Sequence, residues 1–218
     1  QPLQWGISWS YKYAEELGIN PKEGLVAPLD ELPVTRVRLM SYWDVHEPQR
    51  DQYDWTILDE QINIAEERGV NVALAIGLRQ PRWPECHWSQ WAKDLPYEER
   101  NLELNQFMGE VLKRYDGREV VVEYQLENEY LLELFGDCPD HKRERLVDEY
   151  NYVKARTNKT VIVSRSNNAV PSWPINEPRT EKTAMSIYKK NYDGYITNNY
   201  FEYPFTSWYY GFMAAGTK

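Results

Sequence analysis

The sequence of 218 residues has little of what metal and nucleotide sites are built from. It contains three histidines, His46, His87 and His141, none of them at zinc-ligand spacing, and only two cysteines. We therefore expect no metal and no cofactor. No glycine-rich phosphate loop follows the first strand-like segment, which argues against a nucleotide-binding protein.

Long apolar runs and excess positive charge are also missing. The longest apolar runs have the length of a strand, so we expect no insertion into a membrane. The net charge of −9 argues against nucleic acids and anionic membranes as partners. Gln1 leads almost directly into a strand-like segment, so no signal peptide is expected there. Aromatic residues are abundant, with nine Trp and 17 Tyr, and such rings either pack in cores or line carbohydrate grooves.

Strand-like and helix-like segments alternate along the chain without a linker. Apolar β-branched runs predict strands at residues 5–9, 34–40, 70–77, 120–127, 160–164 and 183–188. Helical spacing predicts helices at residues 21–32, 55–68, 97–115, 141–156 and 205–215. The alternation predicts one α/β domain, residues 1–218, whose parallel sheet is either open and doubly wound or closed as a (β/α)8 TIM barrel. Long loops after the second to fifth strands favour the barrel, with about the first six βα units present.

The fourth predicted strand carries a row of polar side chains on one face and ends in carboxylates. Side chains alternate along a strand, so one face holds Glu123, Gln125, Glu127 and Glu129. The second strand places Arg36 and Arg38 on a single face. Inside a barrel these arginines would need partners, so we expect them to meet Glu123 and Glu127 across the lumen. The alternative is that they lie on the surface of an edge strand.

The segment Gln125–Tyr130, QLENEY, resembles the retaining glycoside hydrolases of the large (β/α)8 clan that end strand four in Asn-Glu, its β-galactosidase and cellulase-like families above all. Residues 38–43 (RLMSYW), 46–48 (HEP) and 53–55 (YDW) agree with them. The resemblance implies that the protein hydrolyses a β-glycosidic bond in an oligo- or polysaccharide with retention of configuration. Glu129 would be the general acid/base, and Asn128 would bond the sugar 2-hydroxyl.

The same resemblance implies residues that orient the nucleophile. Arg38 would do so from strand two, and Tyr188 from the end of strand six. Tyr200 or Tyr203 would replace Tyr188 if strand six lies later in the chain.

The family's nucleophile is a glutamate at the end of strand seven, and the predicted units stop before that strand. We therefore expect the nucleophile beyond the end of this chain. Glu202, a late glutamate in an aromatic setting, is expected to contact ligand or to be structural. The alternative is a catalytically inactive barrel that binds carbohydrate or self-associates. A second carboxylate about 5 Å from Glu129 would distinguish the two hypotheses.

Four tryptophans in predicted loops are candidate platforms for sugar rings: Trp43 after strand two, Trp83 and Trp88 after strand three, and Trp173 after strand five. Arg79, Gln80 or His87, in the same loop as Trp83, would contact sugar hydroxyls. For Trp83 the alternative is packing on the barrel rim. Cys86 and Cys138 lie in the loops after strands three and four, which are neighbours in a barrel. They would form a disulfide that suits a secreted or extracellular protein, or remain two buried thiols.

Overall fold

A computed structural model describes residues 5–130, 132, 135–166 and 194–198. Its centre is a curled parallel sheet whose strands pair in sequence order, as the first six strands of a barrel do. The strands are β1 (Trp5–Ser8), β2 (Val34–Met40), β3 (Asn71–Ile76), β4 (Val121–Leu126), β5 (Thr160–Ser166) and β6 (Gly194–Asn198). The predicted (β/α)8-type fold, with about six units present, is confirmed.

Helices connect the first five strands of the sheet. They are α1 (Tyr11–Glu16), α2 (Pro21–Glu31), α3 (Trp43–His46), α4 (Thr56–Glu67), α5 (Tyr97–Tyr115) and α6 (Arg143–Lys154), with a short 3₁₀ helix at Gln90–Ala92. The four longer α-helices were predicted from their apolar spacing. The helices α1 and α3 were not predicted, because one or two turns are too short to show a helical period. No helix among the described residues is long and apolar enough to cross a membrane.

The hydrophobic core lies between the outer face of the sheet and the helices. From the strands, Val37, Leu39 and Leu74 are fully buried. From α5, Phe107 and Val111 are fully buried, as the spacing of an amphipathic stripe requires. The outward-facing residues of β2 and β3 thereby pack against the helices, and their inner face is left for polar groups.

The inner face carries the predicted row of charges. Arg36 forms an ion pair with Glu123 at 2.7 Å between Nη1 and Oε1. Arg38 donates from Nη1 to Oε1 of Gln125 at 2.8 Å. These residues line a cavity of about 320 Å³. Because β2 lies between β1 and β3, the arginines are inside the curl and not on an edge strand.

The sixth strand lies later than predicted. The strand that pairs with β5 is Gly194–Asn198, so the assignment of strand six to residues 183–188 is wrong. Sequence periodicity did not separate two apolar segments so close together. Tyr188, Trp173, Glu202 and the predicted helix at residues 205–215 lie outside the described residues.

Candidate active site at the carboxyl end of strand four

The chain leaves β4 through two residues in the left-handed region. Glu127 has φ of 56° and Glu129 has φ of 47°, and neither is a glycine. Such a conformation costs a residue with a side chain about 1–2 kcal/mol and persists only where the surrounding structure holds it. It also interrupts the alternation of side chains, so the predicted polar row ends at Gln125.

Glu127 consequently turns away from the lumen. Its carboxylate accepts the N–H groups of Leu78 at 2.8 Å and Arg79 at 2.7 Å, and the residue is 1% exposed. Gly77 makes room for it, since a Cβ there would lie 2.6 Å from Oε1 of Glu127. The prediction that Glu127 meets Arg36 or Arg38 across the lumen is therefore wrong.

Glu127 belongs to a buried ionic network with two residues of α6. Arg145 of α6 lies with Nη1 at 3.5 Å from Oε1 of Glu127 and donates to Oε1 of Glu149 at 2.8 Å. Burial raises the pKa of Glu127, while Arg145 and the two backbone N–H groups oppose that rise. Burial raises the pKa of Glu149 well above its ordinary value. Glu127 is therefore a structural carboxylate that anchors α6 and the loop after β3.

Asn128 lies at the centre of a chain of hydrogen bonds. Its Oδ1 accepts from Nε2 of Gln125 at 3.2 Å, and its Nδ2 donates to Oε2 of Glu85 at 3.2 Å. Gln125 in turn accepts from Arg38. Gln125 thus links Asn128 and Arg38, two residues that were predicted to belong to the site.

Glu129 differs from its neighbours in exposure. Its backbone N–H donates to Oγ of Ser164, in the second half of β5, at 2.7 Å. Its side chain is partly exposed, whereas Glu127 and Asn128 are 1% and 3% exposed. A carboxyl group in this position can meet a ligand above the carboxyl ends of the strands, where barrels place their sites.

Glu85 is a buried carboxylate of this region that the sequence analysis missed. It is 4% exposed, has φ of 69° and lies in the loop between β3 and α5. Burial raises the pKa of its carboxyl group, the charge of Glu129 adds to the rise, and the contacts with Asn128 and Arg79 oppose it. No local pattern marks a single loop glutamate, so only the fold could reveal it.

The aromatic candidates have separate outcomes. Trp43 is fully buried, donates to Glu47 at 2.7 Å and packs against Trp88, so its place does not agree with the predicted sugar contact. Trp83 is 64% exposed and packs edge-on against Phe135, so it stays available to a ligand.

The predicted disulfide between Cys86 and Cys138 is present, with 5.2 Å between the Cα atoms. It joins the loop after β3 to the loop after β4. The bond therefore holds the loop that carries Glu85 next to the loop that follows Glu129.

A second polar cluster lies where β1, β2 and β3 end, and it includes His87. Lys12 donates to Asp44 at 2.6 Å and lies 3.1 Å from Nδ1 of His87. His87 is 2% exposed and packs against Tyr42. Burial, with a contribution from the charge of Lys12, lowers its pKa to about 4. Because a lysine only donates, Nδ1 of His87 accepts and the ring proton is on Nε2.

Comparison with known proteins agrees with this architecture. Residues 26–90 match the family model of the β-galactosidases of glycoside hydrolase family 42. Comparison with the sequences of curated proteins gives no match.

Solved structures of glycoside hydrolases share the fold over most of the chain. A family 10 endo-β-1,4-xylanase from Gloeophyllum trabeum has a TM-score of 0.70 at 14% identity, over 99% of this chain and 69% of the xylanase. Xylanase 10B from Thermotoga maritima has a TM-score of 0.63 at 15% identity, over 89% of this chain and 59% of its own. The β-galactosidase from the psychrophilic Marinomonas ef1 has a TM-score of 0.60 at 12% identity, over 91% of this chain.

The chain spans 41% of the length of the Marinomonas enzyme and 40% of that of a β-galactosidase from Halorubrum lacusprofundi. The similarity therefore concerns less than half of those proteins. The resemblance to the (β/α)8 glycoside hydrolases, first indicated by Asn128 and Glu129, is confirmed by the fold and by the family match over residues 26–90.

Proposed function

We propose that the protein is a glycoside hydrolase that cleaves a β-linked oligo- or polysaccharide with retention, and that Glu129 is its general acid/base. The observation that carries the proposal is the position of Asn128-Glu129 at the carboxyl end of β4, with the Glu129 side chain partly exposed and its neighbours buried. The similarity to β-galactosidases and xylanases supports the chemical class.

The proposed reaction has two steps. Protonated Glu129 donates its proton to the glycosidic oxygen while a nucleophilic carboxylate attacks the anomeric carbon, which forms a covalent glycosyl-enzyme and releases the aglycone. Ionised Glu129 then takes a proton from water as the oxygen of that water attacks the same carbon and frees the nucleophile. Asn128 would bond the sugar 2-hydroxyl, an interaction that strengthens in the transition state.

The nucleophile is proposed to be a carboxylate outside the described residues. Glu85 and Glu127 bring carboxylates into the surroundings of Glu129, but they are 4% and 1% exposed and both accept hydrogen bonds from the protein. Neither is free to attack a sugar. Arg38, on the inner face of β2, is proposed to orient the nucleophile. Because strand six lies later than predicted, Tyr200 or Tyr203 is proposed to take the role first assigned to Tyr188. Trp83 and Trp173 remain proposed sugar platforms.

The test is the hydrolysis of an aryl β-glycoside with a good leaving group by the full-length protein and by Glu129→Ala. We expect kcat to fall by about 10²–10⁴, since general acid–base catalysis contributes that much. Azide, which needs no general base, is expected to restore turnover of the variant and to yield a β-glycosyl azide.

A matched control is Glu67→Gln, which removes an exposed carboxylate from α4 on the outside of the barrel and should keep full activity. Unchanged kcat in Glu129→Ala would refute its assigned role. Sugar binding by the full-length protein without any hydrolysis would instead establish the carbohydrate-binding alternative.

A further inference from the structure

Glu85 is held rigidly between two loops of the candidate site. Its carbonyl oxygen accepts from the N–H of Gln80 at 2.8 Å, and its own N–H donates to the carbonyl oxygen of Arg82 at 2.7 Å. The next residue, Cys86, is bonded to Cys138. Gly136 allows the close approach of the loop after β4, since a Cβ there would lie 2.9 Å from Cβ of Glu85. The backbone of both loops therefore determines where the Glu85 carboxylate lies.

Both oxygens of that carboxylate have partners. Oε1 accepts from the N–H of Arg82 at 3.1 Å, and Oε2 accepts from Nδ2 of Asn128 at 3.2 Å. The guanidinium Nε of Arg79 lies 3.7 Å from Oε2. Burying a carboxylate costs free energy unless its oxygens accept hydrogen bonds. The hydrogen bond from Asn128 therefore stabilises the buried carboxylate of Glu85.

The contact between Glu85 and Asn128 completes a chain of hydrogen bonds with a defined direction. At one end Arg38 can only donate, so Gln125 must turn Oε1 towards it and Nε2 towards Asn128. At the other end an ionised Glu85 can only accept, so Asn128 must turn Nδ2 towards it. The Arg38 end determines which way both amides are turned, and Glu85 accepts from the Nδ2 group that this arrangement directs towards it.

We propose that Glu85 is a positioning residue that holds the Asn128 amide in the orientation in which it bonds the sugar 2-hydroxyl. The inference rests on the proposed function. The contact with Glu85 fixes the plane of the Nδ2 group and hence the direction of both its hydrogens. Replacing the carboxylate by an amide makes the oxygen at position 85 a weaker acceptor, so the Nδ2 group of Asn128 is held less firmly in place.

The experiment compares an aryl β-glycoside that the full-length protein hydrolyses with its 2-deoxy counterpart, in the wild type and in Glu85→Gln. The measured quantity is the ratio of kcat/KM for the two substrates, because it isolates the interaction with the 2-hydroxyl. We expect the variant to reduce this ratio about tenfold, the value of one hydrogen bond to a reacting sugar. A general loss of stability would lower both rates and leave the ratio unchanged.

The matched control is Glu47→Gln, which alters another buried carboxylate that accepts two protein N–H groups, from Trp43 at 2.7 Å and Asp51 at 2.9 Å. It should change stability but not the ratio. If Glu85→Gln does not fold, Glu85→Asp keeps the charge on a shorter side chain and is expected to lower the ratio by a smaller factor.

The outcomes separate the two proposals. A reduced ratio in the variants at position 85, with Glu47→Gln unchanged, supports the positioning role. An unchanged ratio in an active, folded variant at position 85 overturns that role and leaves the proposed function standing. A wild-type protein that hydrolyses no aryl β-glycoside overturns both.

Discussion

The buried imidazole of His87 should make the stability of the protein depend on pH in a way that one substitution removes. The side chain is 2% exposed, and burial together with the charge of Lys12 lowers its pKa from 6.5 to about 4. Asp44, which pairs with Lys12, acts in the opposite direction. The folded protein therefore holds His87 neutral at pH values where an unfolded chain would protonate it.

The sign follows from proton binding. Between pH 6.5 and pH 4 the unfolded state takes up a proton at His87 and the folded state does not, so falling pH favours unfolding. The stability contributed by the neutral ring is complete above pH 6.5 and is lost as the pH falls to about 4. Since one pKa unit corresponds to about 1.4 kcal/mol, the loss over that window amounts to about 3 kcal/mol.

The assay is chemical denaturation of the wild type and of His87→Gln at several pH values between 7.5 and about 4. Glutamine stays neutral and can accept from Lys12, so the free energy of unfolding of the variant should fall less steeply. Buried carboxylates and the second buried histidine, His46, are present in both proteins, and their contributions cancel in the difference. Equal slopes for the two proteins would refute the reasoning, because His87 would then titrate alike in the folded and unfolded states.

Two further predictions concern the loops that the disulfide joins. Cys86→Ser with Cys138→Ser should lower the free energy of unfolding by up to about 4 kcal/mol, because the bond closes a separation of 52 residues; a thiol reductant should reproduce the loss in the wild type but change nothing in the double variant, as thermal denaturation would show. Gly136→Ala should destabilise more than Gly69→Ala. Both glycines have positive φ, but a Cβ at position 136 would lie 2.9 Å from Cβ of Glu85 whereas nothing lies within 4 Å at position 69. The left-handed backbone costs both variants about 1 kcal/mol, so the excess measures the clash, and equal losses would show that the two loops separate without cost.

The local pattern of the chain was sufficient to predict most strands and the longer helices. Apolar periodicity placed the first five strands and the four longer helices, because a strand or helix repeats its pattern over several residues. The same alternation identified Arg36 and Glu123 as partners, now seen at 2.7 Å across the inner face. Asn128 and Glu129 were proposed as site residues because they follow a buried strand and because QLENEY resembles the glycoside hydrolases that end strand four in Asn-Glu.

Other features depended on contacts that no local pattern encodes. Glu127 was assigned to the lumen by alternation, but a left-handed backbone at that residue sends its carboxylate to the N–H groups of Leu78 and Arg79. Trp43 was expected at a ligand surface, but a short helix buries its ring among other aromatic rings. A single residue in an unusual conformation, or a single helical turn, leaves no periodic signal.

The sequence by itself therefore determined the order of strands and helices, the polar inner face and the candidate acid/base Glu129. The tertiary structure decided which carboxylate Asn128 contacts. Glu85 and Asn128 are separated along the chain by a helix and a strand, and they meet only because the parallel sheet brings the loops after β3 and β4 side by side. Periodicity is a property of neighbouring residues, whereas a contact between two loops depends on how the whole sheet curls.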